Sequence, residues 1–361
     1  MSVSARREAL RALLPAAGVA ALLVTDLVNV RYLTGFTGSN AALLVHVDGD
    51  AASRFCTDGR YRTQAAEQVP DLPSVIDRAC ALALAGAAAE LDVRRLGFES
   101  DHVTVDAYSA LAEKALPVAM VRVPGSVQRL RTVKDDVEVA ALRAACAAAD
   151  AALADLISGG QLTPDRTEAQ VAAALESRMR EHGAQGPSFD TIVAAGPHSA
   201  VPHHSPTGTP LRRGDLVKLD FGALVDGYHS DMTRTVVLGQ AAPWQRDLYA
   251  LVGAAQAAGR AALRAGADVA DVDAAARGVI AEAGRGAEFP HGLGHGVGLQ
   301  IHEAPLLAAT ASGPLAPGMV VTVEPGVYLE GRGGVRIEDT LVVGDGSPAL
   351  LTLFPKDLLE I

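Results

Sequence analysis

The sequence predicts an α/β protein in two domains, and three observations carry that prediction. Its 361 residues exceed what a single hydrophobic core usually serves. Short apolar runs of strand length alternate with longer helical patterns along much of the chain. A polar, turn-rich stretch, Pro124-Gly125-Ser126 followed by residues 129–136, interrupts the alternation. The expected domains are therefore a modest α/β domain over 1–125 and a larger one over 126–361.

In chain order, the start of the chain reads as a surface helix, 15–18 as a turn, and 19–24 as a buried strand. Residues 41–47 and 118–123 also read as strands, whereas 65–68 and 105–116 sit in helical patterns. A long alanine-rich helix is expected from about 136 to 157, stopped by Gly159-Gly160. Further on the chain echoes itself. Val171-Ala-Ala-Ala with Met179, Glu181 and Gly183 matches Val272-Asp-Ala-Ala with Ile280, Glu282 and Gly284, each pair offset by 101 residues. Both segments read as amphipathic helices closed by a glycine. Two alanine-rich helices can also resemble each other by chance. A true echo makes the second domain two α/β halves, with any site between them drawing on both.

Composition narrows the function. A formal net charge of −11 without a lysine or arginine run argues against nucleic-acid or anionic-membrane partners. No apolar stretch approaches the length of a membrane span. Cys56, Cys80 and Cys146 lie far apart and offer neither a zinc motif nor a disulfide framework, which suits a reducing, cytoplasmic compartment. Arg6-Arg7 ahead of an apolar stretch hints at a signal peptide. Pro15 breaks that stretch and no clean cleavage site follows.

The chemistry concentrates in three places. Lys218-Leu-Asp220-Phe-Gly and Ser230-Asp231-Met-Thr-Arg-Thr alternate as strands do, with Asp226-Gly227 between them as a hairpin signal. A turn centred between Val225 and Asp226 would set Asp220 directly opposite Asp231. Val321-Thr-Val-Glu324 and Val335-Arg-Ile-Glu338 flank the turn Gly331-Arg-Gly-Gly334, which sets the two glutamates opposite each other. Opposed carboxylates in apolar strands repel unless a cation lies between them. A solvated edge would tolerate them too, but these flanks are apolar. Between the pairs runs His291-Gly-Leu-Gly-His295-Gly-Val-Gly-Leu-Gln-Ile-His302, where glycines allow close backbone approach to a ligand. Spacing alone does not say which histidine would bind metal. Four carboxylates with imidazole favour Mn²⁺ or a similar divalent ion, and a pair of such ions suits hydrolysis.

With these residues in place, the chain resembles the proline-peptidase branch of the pita-bread metallopeptidases, aminopeptidase P and prolidase. Asn29-Val-Arg-Tyr-Leu-Thr-Gly-Phe-Thr-Gly-Ser39 and Thr57-Asp-Gly-Arg-Tyr61 look like its creatinase-type N-terminal domain. The resemblance implies a pita-bread catalytic domain with an internal pseudo-twofold repeat. It also implies two divalent ions, Mn²⁺ before Co²⁺ or Zn²⁺, held by Asp220, Asp231, His295, Glu324 and Glu338. Asp231 and Glu338 would bridge, and Glu324 would double as acid and base. His203, His291 and His302 would line the substrate pocket and stabilise the oxyanion, with Tyr328 and Arg336 behind the glutamates.

The resemblance further implies peptide substrates with proline second, and a homodimer. One departure bears on substrate length. Strict dipeptidases of the branch often carry arginine four residues after the last histidine, to grip the free carboxylate, and here that residue is Leu306. The expectation is therefore an Xaa-Pro aminopeptidase, with Xaa-Pro dipeptidase as the alternative and Arg332 as a substitute clamp. A non-catalytic pita-bread binding protein and a metal-free hydrolase of the creatinase kind remain as remoter readings, both disfavoured by the intact ligand set.

Overall fold

The computed structural model describes residues 1–361, and the chain divides into two compact units, Met1–Arg131 and Thr132–Ile361. The first is built on a six-stranded sheet ordered β4-β3-β2-β1-β5-β6. Its strands are β1 (Ala21–Val24), β2 (Ala41–His46), β3 (Arg54–Thr57), β4 (Ser74–Ile76), β5 (Arg95–Phe98) and β6 (Ala119–Arg122). Every residue of β1 and β2 is buried, which is why these runs read as continuous apolar stretches. Helices α1 (Val3–Arg11), α2 (Leu27–Thr34), α3 (Arg62–Gln68), α4 (Cys80–Ala87) and α5 (Val105–Ala115) complete the layers. The stretch expected to be a linker holds a helix of its own, α6 (Ser126–Arg131).

The second unit opens with the long helix α7 (Asp136–Ser158), started by a capping box of Asp135 and Glu138. Then come α8 (Glu168–Glu181), β7 (Gly186–Pro187), β8 (Ile192–Ala195) and β9 (Leu216–Phe221). Strands β10 (Ala223–Val225), β11 (Tyr228–His229) and β12 (Met232–Val237) follow. The second half runs α9 (Pro243–Ala262), α10 (Val269–Glu282), β13 (Gly294–Gly296), β14 (Glu303–Leu307), β15 (Val320–Val323), β16 (Gly326–Leu329), β17 (Gly333–Arg336), β18 (Asp339–Val342) and β19 (Ala349–Leu350).

The echo is structural. Helices α8 and α10 have equal length, start on side-chain caps from Thr167 and Asp268, and are followed by left-handed Gly183 and Gly284. Each follows and packs on a preceding long helix, α7 or α9. Each half then lays down an antiparallel triplet, β8-β9-β12 in the first and β13-β15-β18 in the second. The halves also keep separate apolar cores, one around Leu153, Leu175 and Phe221, the other around Val252, Val272 and Leu341.

Candidate metal centre

Five side chains meet where the two halves adjoin. Asp220 lies on β9 and Asp231 just before β12, both from the first half. His295 is the middle residue of β13, Glu324 follows β15, and Glu338 lies between β17 and β18. Asp220, Asp231 and Glu338 are buried, and His295 and Glu324 are partly so.

The aspartate hairpin differs from its expected register. Asp226 and Gly227 have φ of 48° and 73° and are the two central residues of the turn, with Val225 paired to Tyr228. Such a turn needs positive φ at both central positions, and an Asp-Gly pair supplies it. The turn centre thus moves one residue along, and Asp220 faces Thr233 rather than Asp231. Asp231 stays on the same face, two residues nearer the turn. Gly222, beside it, admits no side chain, since a Cβ there would sit 1.8 Å from the Ser230 carbonyl oxygen. The glutamate hairpin keeps the expected register. Val323 pairs with Asp339 and Gly326 with Arg336, so Glu324 and Glu338 fall opposite each other.

Electrostatics decide what this arrangement can hold. Burial, aided by Glu338, Asp220 and Glu324, pushes the Asp231 carboxyl well above the usual carboxylate range. Glu338 is raised by burial and by Glu324 and Asp220, and Glu324 is raised to about 7, chiefly by burial. His295 donates through Nδ1 to the Gly296 carbonyl at 3.0 Å, and burial lowers its pKa. Its Nε2 lone pair therefore faces Glu324 Oε1 at 3.4 Å and Asp231 Oδ2 at 3.5 Å. Glu338 Oε1 is buried without a hydrogen-bond partner. Ligand atoms of Asp231, His295 and Glu338 lie within 4.8 Å of one another. Lone pairs so crowded call for cations between them, and an oxygen-rich set with one imidazole suits divalent ions.

Surrounding groups fix the carboxylates. The Thr233 hydroxyl donates to Glu338 Oε2 at 2.7 Å, and the Thr322 hydroxyl to Glu324 Oε1 at 3.0 Å. Arg336, fully buried, donates to Asp220, to Thr233 Oγ1 at 3.0 Å and to the Tyr328 hydroxyl at 2.8 Å. Tyr328 in turn lies 2.9 Å from His291 Nε2. Because His291 Nδ1 donates to the Gly292 carbonyl at 2.8 Å, Nε2 accepts from Tyr328. Burial and Arg336 hold this imidazole down at about 4. His291 lines the cavity as expected, with both ring nitrogens engaged by protein groups. It braces Tyr328. His203 and His302 remain exposed on the cavity wall.

Sequence reading passed over three supporting residues. Thr233 and Thr322 stand two residues from a ligand on alternating strands, a spacing that places them on the ligand's face. Lys218, buried, donates to the carbonyls of Val201 and Pro202 at 2.5 and 3.0 Å. Burial and Arg336 push its pKa down to about 6. A lysine in a buried strand two residues before Asp220 was the available signal.

The cavity over these residues measures about 590 Å³, with Phe189, Ile192, Ile301 and Leu306 as apolar walls. Leu306 pairs with His295 across β13 and β14 and is 58% exposed. Arg336 is the one arginine on the wall. Arg332, the expected substitute clamp, stacks on Trp244 at 4.2 Å instead. A second acid–imidazole group, Glu168 with His198 and His204, also brings its ligand atoms within 4.8 Å. There the carboxylate accepts hydrogen bonds from five donors.

Residues 140–345 match the model for metallopeptidase family M24, and residues 6–133 match the creatinase/prolidase N-terminal domain. An Xaa-Pro dipeptidase of Pyrococcus furiosus is 35% identical over 92% of this chain and 93% of its own. The solved Xaa-Pro dipeptidase from Bacillus anthracis superposes with a TM-score of 0.95 at 38% identity, covering all of both chains. The X-Pro aminopeptidase from Thermotoga maritima gives 0.89 at 31% identity, over 95% of this chain and 98% of that one.

Proposed function

Since the chain belongs to metallopeptidase family M24, with a pita-bread catalytic domain behind a creatinase-type N-terminal domain, we propose that it hydrolyses the Xaa-Pro bond of dipeptides using two divalent ions. The observation that carries the metal chemistry is the buried, mutually repelling set of Asp231, Glu338 and the His295 Nε2 lone pair. The dipeptide preference rests on the relatives, two of the three named above being dipeptidases. It reverses the order expected from the sequence, where aminopeptidase stood first.

In this reading Asp231 and Glu338 would be the ligands shared by the two ions, Asp220 would hold one, and His295 with Glu324 would hold the other. The chemistry that such ions would supply when held there is polarisation of the scissile carbonyl and a lowered pKa of water. The chain's own groups do the rest. Glu324, whose Oε1 is anchored by Thr322, takes the proton of the attacking water at Oε2 and returns it to the departing proline nitrogen. Thr233 and Arg336 hold Glu338 and Asp220 in place, as donors behind ligands do. His203 and His302 donate to the substrate's carbonyl oxygen as it gains charge. Mn²⁺ is the proposed ion, with Co²⁺ and Zn²⁺ as substitutes.

A second reading, Xaa-Pro aminopeptidase, is favoured by one observation. The rim beside His295 offers exposed Leu306 where a carboxylate clamp would stand, and Arg332 is committed to Trp244. A panel of Xaa-Pro dipeptides and longer Xaa-Pro-Xaa peptides, with and without Mn²⁺, separates the two. Faster turnover of the longer peptides would install the second reading. A homodimer belongs to the same proposal, and a monomer mass by light scattering at micromolar concentration would remove it. The three cysteines are buried and free, which supports a cytoplasmic setting, and no helix is long and apolar enough to cross a membrane.

A further inference from the structure

His203 must be aimed at the reacting carbonyl, yet no hydrogen bond fixes its ring, and its position is set through its backbone. The segment that carries it, residues 195–207, leaves β8 and returns over the cavity. Both ends of this segment converge on one carboxylate. Glu168 Oε1 accepts from the Ala195 N–H at 2.9 Å and from His198 Nδ1 at 2.9 Å. Glu168 Oε2 accepts from His204 Nε2 at 2.9 Å, from the Thr207 N–H at 3.0 Å and from the Thr207 hydroxyl at 2.7 Å.

Glu168 is wholly buried at the first residue of α8, where the helix N-terminus favours its charge. The rings of His198 and His204 stack 4.3 Å apart, so the two arms of the segment also touch each other. Midway, the carbonyls of Val201 and Pro202 are held by Lys218, and Pro202 also by Arg336 at 3.1 Å. These bonds lie on both sides of His203, from Ala195 to Thr207.

We infer that Glu168 is a positioning residue for the proposed hydrolysis: it closes the 195–207 segment and thereby sets His203 over the metal centre. Saturation by five donors explains why this acid–imidazole group needs no ion, despite its ligand-like spacing. The inference rests on the proposed role of His203, and the test keeps the two apart.

The experiment is a double-mutant cycle on the full chain loaded with Mn²⁺, with Glu168→Gln, His203→Ala and both together, assayed on an Xaa-Pro dipeptide well below the melting temperature. A glutamine keeps the shape but places an NH₂ against donors on one arm. His203→Ala alone should lower kcat about tenfold or more. Glu168→Gln should lower kcat by a similar factor while KM and metal content stay near wild type. In the His203→Ala background, Glu168→Gln should cost little further. A purely structural Glu168 would lower the melting temperature and leave kcat untouched, which overturns the inference, as would fully multiplicative losses. If His203→Ala has no effect, the role of His203 fails instead. Where Glu168→Gln does not fold, Thr207→Val removes one of the five bonds and should show the same dependence on His203. A second readout needs no turnover: the ¹⁵N imidazole signal of His203, identified by its loss in His203→Ala, should shift or broaden in metal-free Glu168→Gln protein. An unmoved signal in that variant would contradict the inference.

Discussion

Two groups of buried acid with part-buried imidazole lie in the catalytic domain, each with its ligand atoms within 4.8 Å of one another, and their acids answer burial in opposite ways. Glu168 is held down to about 2 although burial alone would raise it, because N–H and O–H groups surround both its oxygens. Asp231 and Glu338 are driven well above the usual range by burial first and then by neighbouring carboxylates, and one Glu338 oxygen has no donor to offset this. The first group is electrostatically complete. The second is complete only with cations. Spacing alone does not identify a metal site; what separates these two is whether the lone pairs are already satisfied.

The largest effect that tests this contrast is on turnover. Asp231→Asn keeps the volume and removes the charge of a proposed bridging ligand, so kcat/KM should drop about a thousandfold or more. Glu168→Gln should cost far less. A variant Asp231→Asn with near wild-type turnover would dissolve the distinction.

Metal-free stability should show the opposite order. Relieving repulsion, Asp231→Asn should leave the melting temperature of chelated protein unchanged or higher. Glu168→Gln should lower it, because buried donors lose acceptors at about 1–3 kcal/mol. The pH dependence has a definite sign. Glu168 has a lowered folded pKa, so its stabilisation is present above its ordinary value of 4.5 and is lost as pH falls towards about 2. The stability gap between wild type and Glu168→Gln, read by urea melts, should be constant above pH 5 and narrow over that window. A gap that widens on acidification would mean the carboxylate is not ionised in the fold.

Much of this was legible in the residues, for physical reasons that also mark the limits. The glutamate hairpin could be placed by arithmetic because its glycine-rich turn is symmetric about residue 331 and the flanking strands keep one register. The aspartate hairpin could not, since choosing which two residues take positive φ moves every pairing by two. The 101-residue echo survived as helices of equal length because caps and closing glycines are local signals. The spacing of Lys218 and Thr233 was a signal, but the partners they brace, like those of Glu168, were hidden because each lies distant in the chain. The bond from Tyr328 to His291 was hidden for the same reason, the two residues lying 37 apart in the chain.

Two smaller effects sharpen the picture of the cavity wall. His302→Ala should retain its metal while losing about a hundredfold in kcat, since His302 is exposed on the cavity wall and is proposed to act on substrate rather than ion. Loss of an ion in that variant would move His302 among the ligands. Leu306→Arg should shift preference towards dipeptides by about 1.5–3 kcal/mol, the scale of a charged hydrogen bond. If it does not, the substrate's carboxylate lies elsewhere than beside β14.

The central claim is that the crowded carboxylates exist to hold two ions, and titration calorimetry of chelator-stripped protein with Mn²⁺ measures it directly. Wild type should take up about two ions per chain, and Asp231→Asn one or none. A stoichiometry near zero in the wild type, or two in Asp231→Asn, would contradict the assignment of Asp220, Asp231, His295, Glu324 and Glu338 as a dinuclear site.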